Sequence, residues 1–145
     1  MRLFTIGYES ATQPAVIDCL TRAGVSVVID VRAVTSSRRA GFSKTLLAGS
    51  LAEAGIDYVS LRALGTPKAG RQAAHAGGTG EMRAIYEAHL AEPEAQAQLA
   101  QALEIAAERP AALLCYEADA AKCHRRIIAE RMAEAASFET QDLAP

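Results

Sequence analysis

The segment VSVVIDVR, residues 25–32, decides the fold class of this chain. Four of its first five residues are apolar and β-branched, with Ser26 as the exception, and a nearly continuous apolar run of this kind is typical of a strand covered on both faces. A stretch with helical spacing precedes it, from about Gln13 to a stop at Gly24, with Thr12 as the expected N-cap. A helix leading directly into a buried strand indicates an α/β protein.

On both sides of this segment, the same alternation of strand and helix covers most of the chain. Apolar segments predict further strands at Leu3–Ile6, Asp57–Leu61 and Ala111–Tyr116. Helical patterns run from a cap at Ser43 to Ala54, from Glu81 past a break at Pro93 to Glu108, and from about Ala120 to Ala136. We therefore expect a three-layer α/β fold: a mostly parallel sheet of at least four strands, with helices on both faces.

The connections predict how the chain is divided. Its length of 145 residues fits one domain, which we assign to residues 1–136, and residues 137–145 are expected to form a frayed C-terminal tail. The stretch Arg62–Gly80 is rich in glycine and basic residues, so it predicts a mobile binding loop or lid. The strands at 25–29 and 112–115 are expected in the middle of the sheet, fully buried.

Composition narrows the class of protein. No apolar run approaches the ~20 residues of a membrane span, so no membrane partner is expected. The three cysteines, Cys19, Cys115 and Cys123, form no even ladder of spacings and argue against a disulfide framework. Together with the absence of a signal peptide at Met1, they predict a cytoplasmic protein.

Charge is distributed unevenly along the chain, although the net charge is only −2. Residues 31–80 carry seven basic and two acidic side chains, whereas residues 81–145 carry six basic and twelve acidic ones. Such a split can focus an anionic ligand onto one surface, or it can be a solvated dipole with no role.

Polar side chains follow every predicted strand. Ligands of open parallel sheets bind outside the carboxyl ends of the strands, so these residues mark the expected site. They are Tyr8 and Glu9 after the first strand, Asp30 and Arg32 after the second, Ser60 and Arg62 after the third, and Cys115, Tyr116 and Glu117 after the fourth.

The strand-end residues belong to a set of motifs that resembles the family called domain of unknown function 488. Family members more often carry a proline near Val34, where this chain has none. No activity is established for the family, so the resemblance implies a site rather than a reaction. The matching segments appear in the family's order: TIGY at 5–8, DVR at 30–32, SRRAGFS at 37–43, LGTPK at 64–68, LCYE at 114–117 and CHR at 123–125.

Candidate roles follow from residue chemistry. Asp30, Glu117 and His124 are the expected catalytic proton carriers; Asp30 could instead brace Arg32, which lies on the same strand face, and His124 could simply bond a loop carbonyl. Arginine pairs bidentately with phosphate and carboxylate, so an anion is expected to contact Arg32, Arg38, Arg39 and Arg125. Tyr8, Cys115 and Lys68 are expected to line the site.

The start of the last helix is expected to add residues to the site. Asp119 is a plausible N-cap, which would place Cys123, His124 and Arg125 in the opening turns, leaning back toward the strand ends. Cys123 shares a helix face with Ile127, so it is expected in the core. On this basis Glu117, His124 and Arg125 should line one pocket together with Asp30 and Arg32.

A catalytic cysteine and a metal site both lack a supporting motif. Rhodanese-like and cysteine-phosphatase domains also place a cysteine at a late strand end, but the phosphatase loop needs arginine six residues later, where this chain has Ala121. Zinc ligands can be assembled on paper, yet no CxxC or HxxxH spacing supports them, so neither a metal nor a cofactor is predicted. The set would be Cys115, Cys123 and His124, with His75 or His89.

Three functions remain open. The first is an enzyme that acts on an anionic, phosphate- or carboxylate-bearing small molecule or nucleotide by hydrolysis or group transfer. The second is a nucleic-acid-binding or processing module that uses the basic central loops, and the third is a metabolite-binding domain without chemistry. No oligomeric state is predicted.

Overall fold

A five-stranded parallel sheet forms the centre of the protein, for which a computed structural model describes all residues, 1–145. The strands lie in the order β3-β2-β4-β1-β5, and every neighbouring pair is parallel. Both β2 and β4 are interior strands and fully buried, as their apolar runs predict. The strands are β1 (Arg2–Gly7), β2 (Val27–Asp30), β3 (Asp57–Ser60), β4 (Ala111–Cys115) and β5 (Glu139–Leu143).

Six α-helices cover the two faces of this sheet. Because successive strand residues point to opposite faces, Phe4 and Val28 pack under α1 and α2, whereas Leu3 and Val27 pack with the remaining four helices. The predicted three-layer α/β fold is thereby confirmed. The helices are α1 (Gln13–Arg22), α2 (Lys44–Glu53), α3 (Lys68–His75), α4 (Thr79–Leu90), α5 (Pro93–Glu108) and α6 (His124–Ala135).

The predicted lid between Arg62 and Gly80 is wrong as a loop, because most of it is helical. Residues Arg62–Leu64 form one 3-10 turn and α3 follows at once. Ala73 joins the core, and Gly70 is buried where a Cβ would press against the Thr66 methyl group. The glycine that suggested flexibility instead permits a close approach of backbone to side chain.

The C-terminal tail predicted from residue 137 contains a strand. β5 pairs in parallel with β1, the Thr5 hydroxyl donates to the Asp142 carboxylate at 2.5 Å, and Phe138 is buried. The segment ETQDL has no apolar pattern, since its first four residues are exposed, only Leu143 packs on the core, and backbone bonds to β1 hold it in place. Hydrophobic periodicity therefore does not predict this strand.

The start of the last helix also differs from the prediction. The Asp119 carboxylate accepts from Ala121 N at 2.9 Å and caps a 3-10 turn, Ala120–Lys122. The helix proper begins at His124, with Cys123 as its N-cap residue. None of the helices combines the length and hydrophobicity that crossing a membrane requires.

Candidate active site at the carboxyl edge of the sheet

A cavity of about 370 Å³ opens where β1, β2 and β4 end. A second cavity of about 260 Å³ adjoins it and shares several of its walls, so we treat the two as one cleft. The shared walls are Thr66, Arg71, Tyr116, Glu117 and His124. The larger cavity is also lined by Tyr8, Arg32, Ala33, Val34, Ser36, Ser37, Arg38, Arg39 and Cys115.

A buried ion pair supports the floor of the cleft. Arg32 donates to both carboxylate oxygens of Asp30 and, through Nη1, to the Tyr8 hydroxyl and the Phe42 carbonyl. The Tyr58 hydroxyl donates a further short hydrogen bond to Asp30. Burial would lower the pKa of Arg32, but its hydrogen bond to Asp30 and the charge of that carboxylate raise it overall. The guanidinium is therefore permanently charged at the edge of the cleft.

Aromatic rings form one wall. Tyr8 stacks on Phe42 with ring centroids 4.1 Å apart, and Tyr116 meets Tyr8 edge-on at 5.5 Å. Tyr8 is buried, whereas Tyr116 is exposed at the rim. The stack attaches the loop before α2 to the end of β1, which gives the cleft a firm apolar side.

Three more arginines surround the opening. Arg39 donates to the carbonyl oxygens of Glu9 and Ala11 at 2.5 and 2.6 Å, and Arg71 donates to that of Thr66 at 2.8 Å. Arg38 is exposed and forms no hydrogen bond or salt bridge within the chain. Carbonyl bonds leave the charge of Arg39 and Arg71 unneutralised, so the larger cavity carries an excess of positive charge.

His124 has a fixed tautomer. Its Nε2 lies 2.6 Å from the Val31 carbonyl oxygen, which can only accept, so Nε2 carries the proton and Nδ1 keeps its lone pair. Burial lowers the pKa of His124 to about 4; the Val31 carbonyl opposes that shift, and the charge of Arg125 adds to it. The imidazole is therefore neutral at physiological pH, with an acceptor atom beside Cys123 Sγ, 3.6 Å away.

Arg125 is fully buried beneath the cleft. Its guanidinium donates to the Glu117 and Ala118 carbonyl oxygens and lies 3.0 Å from Cys115 Sγ. Burial lowers the pKa of Arg125, against the charge of Asp142. The arginine thus holds the turn after β4 against the end of β1, where a Cβ on Gly7 would overlap the Glu117 carbonyl oxygen.

Two cysteines meet beside this turn. Cys115 and Cys123 are bonded through their sulfurs, and their Cα atoms are 7.5 Å apart. The bond corrects the expectation drawn from the odd cysteine count; Cys19 is the buried, unpaired third thiol. Cys123 also packs with Ile127 in the core, as its helix face predicts.

Glu117 is the acidic side chain of the larger cavity. It is half-buried, lines both cavities, and one carboxylate oxygen lies 3.5 Å from Cys115 Sγ. No basic side chain forms a salt bridge with it. Glu117 is therefore a carboxylate of the cleft that no salt bridge holds.

The structure brings most of the predicted site residues together. Asp30 lies behind Arg32, Arg125 lies under the floor, and Lys68 is exposed at the start of α3; none of these three lines either cavity. Sequence reasoning missed Arg71 and Thr66 because the segment that holds them was interpreted as a loop. A helical reading from Lys68 would have placed Arg71 one turn into a helix that starts at this edge.

The family model described as "Domain of unknown function DUF488" matches residues 12–132. The chain belongs to this family. The matched part of the DUF488 chain includes every residue of the cleft except Tyr8 and Glu9. Neither the curated proteins nor the solved structures contain a match.

Proposed function

We propose that the protein is an enzyme that binds a phosphate- or carboxylate-bearing small molecule or nucleotide in the cleft and acts on it by hydrolysis or group transfer. The observation that carries the proposal is the charge of the larger cavity, where four arginines face a single carboxylate, Glu117. A cavity of about 370 Å³ has the size of a small-molecule site.

The arginines have different roles in this proposal. Arg32 is held in place by Asp30 and supplies a fixed charge at the floor, so Asp30 acts as a positioning residue. Arg38 and Arg71 supply donors at the mouth, and Arg39 anchors its loop on the Glu9 and Ala11 carbonyls while adding charge. Fixed donors of this kind stabilise negative charge as it develops during transfer.

Proton transfer falls to Glu117 and His124, two of the residues that line both cavities. Glu117 accepts the proton of an attacking water or hydroxyl, whose oxygen bonds to the phosphorus or carbonyl carbon while the bond to the leaving group breaks. The leaving group then takes up that proton from Glu117. The neutral His124 ring, with its free Nδ1 lone pair, is the second acceptor. Arg125 contributes by holding the Glu117 turn, and a direct contact with the anion stays a prediction.

The first experiment measures ligand binding. Thermal shifts are recorded with inorganic phosphate, nucleoside phosphates, sugar phosphates and dicarboxylates, in Arg38→Ala and Arg71→Ala variants and in Arg22→Ala, an exposed control paired with Asp18. A bound anion should raise Tm in the wild type and in the control. Loss of one charge-assisted contact should weaken binding roughly 10- to 100-fold. If none of these compounds raises Tm, the proposal is wrong.

The second experiment tests catalysis. Compounds that bind are incubated with wild type and Glu117→Gln, and products are followed by mass spectrometry. Turnover that is lost in Glu117→Gln supports the enzyme; binding without turnover identifies a metabolite-binding domain. Affinity for random oligonucleotides that falls steeply with salt, without small-molecule binding, would identify a nucleic-acid module.

A further inference from the structure

Three ligand atoms of a kind that binds soft metal ions converge between the two cavities. The sulfurs of Cys115 and Cys123 and a ring nitrogen of His124 all lie within 4.8 Å of one another, and all three residues are buried. Cys115 comes from the end of β4 and the other two from the start of α6. The tertiary structure therefore brings together three possible metal ligands that their spacing in the sequence does not predict.

The histidine is oriented as a ligand. Its Nε2–H donates to the Val31 carbonyl at 2.6 Å. The unprotonated Nδ1, whose lone pair can bind a metal ion, lies beside Cys123 Sγ. Histidines that bind metals nearly always give their other ring N–H to a carbonyl or carboxylate in this way. Each ring nitrogen of His124 thus has a defined use in a metal site.

The spacing of the cysteine backbones suits two thiolates on one ion. Their Cα atoms are 7.5 Å apart, whereas disulfide-bonded cysteines usually keep this distance between about 4.4 and 6.8 Å. An ion inserted between the sulfurs, at about 2.3 Å from each, fits the wider separation. The structure shows the sulfurs bonded to each other, so the metal-binding form is the reduced one.

The surrounding charges match this occupant. A divalent ion carries the charge that balances two thiolates. Two further charges lie beside Cys115 Sγ and offset each other: Arg125 Nη1 is 3.0 Å away and a Glu117 carboxylate oxygen is 3.5 Å away. A buried charge is tolerated only when it is compensated in this manner.

We infer that reduced Cys115, Cys123 and the Nδ1 atom of His124 bind one Zn²⁺ ion, with an open fourth position directed at the cleft. Cys115 lines the larger cavity, Cys123 the smaller one and His124 both, so the ion is reachable from the cleft. Two cysteines, one histidine and an open position are a ligand set that zinc takes in catalytic sites. The inference stands apart from anion binding by the arginines; in the zinc-bound form the Nδ1 lone pair of His124 is used by the ion, so Glu117 alone remains as the proton acceptor of the proposed function.

The test uses the full chain, reduced with a phosphine and freed of metal with a chelator. Co²⁺ is added as a spectroscopic probe, then Zn²⁺ is added to displace it. We expect a thiolate-to-cobalt charge-transfer band that saturates at about one ion per chain, as a tetrahedral cysteine site requires. Cys123→Ser and His124→Ala should weaken Zn²⁺ binding at least about 100-fold, since losing an outer partner alone costs 10- to 100-fold.

Cys19→Ser is the matched control, because Cys19 is a buried cysteine outside the cluster and should leave the titration unchanged. A second measurement needs no variant: Zn²⁺ should slow alkylation of Cys115 and Cys123 in the reduced wild type, with the labelled residues identified by mass spectrometry. Absence of both the cobalt band and the protection in the folded, reduced wild type overturns the inference. Phosphate-induced thermal shifts measured in excess chelator test the anion site separately.

Discussion

Arg32 donates Nε–H and Nη2–H to the two oxygens of the Asp30 carboxylate, at 2.9 and 2.7 Å, and both side chains are buried. Asp30 is the last residue of β2, and Arg32 lies two positions further along the chain, on the same face. Because this pair fixes a permanent charge under the cleft, its removal affects both stability and binding.

Asp30→Asn should lower the free energy of unfolding by about 3–5 kcal/mol, because it leaves a buried guanidinium without its counter-charge. Urea unfolding followed by circular dichroism measures the change. Asp57→Asn is the matched control: Asp57 pairs with Arg109 at the same 2.7 Å N–O distance, but the two side chains are 67% and 40% exposed. The control should change stability by less than about 1 kcal/mol. Equal effects of the two variants would show that the Asp30 pair has no special role.

Gly7→Ala should destabilise the protein and displace the turn after β4. The added Cβ overlaps the Glu117 carbonyl, which Arg125 holds in place, so the backbone has to move. Gly49→Ala provides the control, because Gly49 lies in α2 with open space around its Cβ position. That substitution should raise stability by about 0.5–1 kcal/mol, since alanine favours a helix. Thermal melts of both variants give the comparison. An unchanged Tm for Gly7→Ala would contradict the close approach of Gly7 to the Glu117 carbonyl.

Stability should fall between pH 6.5 and pH 4 through His124. Its pKa in the folded state is lowered to about 4 by burial, whereas in the unfolded chain it is near 6.5, so the unfolded state binds the extra proton in this range. The contribution is complete above pH 6.5 and is lost as pH falls toward 4, amounting to about 3 kcal/mol at most.

Urea unfolding at several pH values, for wild type and His124→Gln in metal-free buffer, measures this slope. The variant should show a flatter dependence from pH 6.5 to pH 4. His75→Gln replaces an exposed histidine of α3 and should retain the wild-type slope. Parallel curves for wild type and His124→Gln would contradict the assignment of a neutral, buried imidazole.

Removing residues 137–145 should lower stability by at least about 2 kcal/mol. The truncation deletes the strand beside β1, exposes the edge of β1 and removes the buried ring of Phe138. Removing only Ala144 and Pro145, which follow β5, is the control and should have no effect. A truncated protein that melts like the full chain would show that β5 is dispensable.

The sequence alone determined the layers of the fold and the edge that carries the site. Apolar runs such as residues 25–29 have to be buried on both faces, and alternation with helices then requires a parallel sheet. Because all strands of such a sheet end on the same side, the polar residues after them converge, and Arg32, Glu117 and His124 do line one cleft.

The use of each polar group depends on contacts that form in the folded chain. Asp30 is paired with Arg32, and the two terminal nitrogens of the Arg125 guanidinium donate to the Glu117 and Ala118 carbonyls. β5 is held by the exposed edge of β1, and Arg71 reaches the cleft from α3, whose glycine content suggests a loop. The meeting of Cys115 with Cys123 and His124 depends on the turn between β4 and α6, which no local periodicity specifies. Hydrophobic patterns encode which residues are buried, but the partner of a buried polar group depends on contacts between distant segments of the chain.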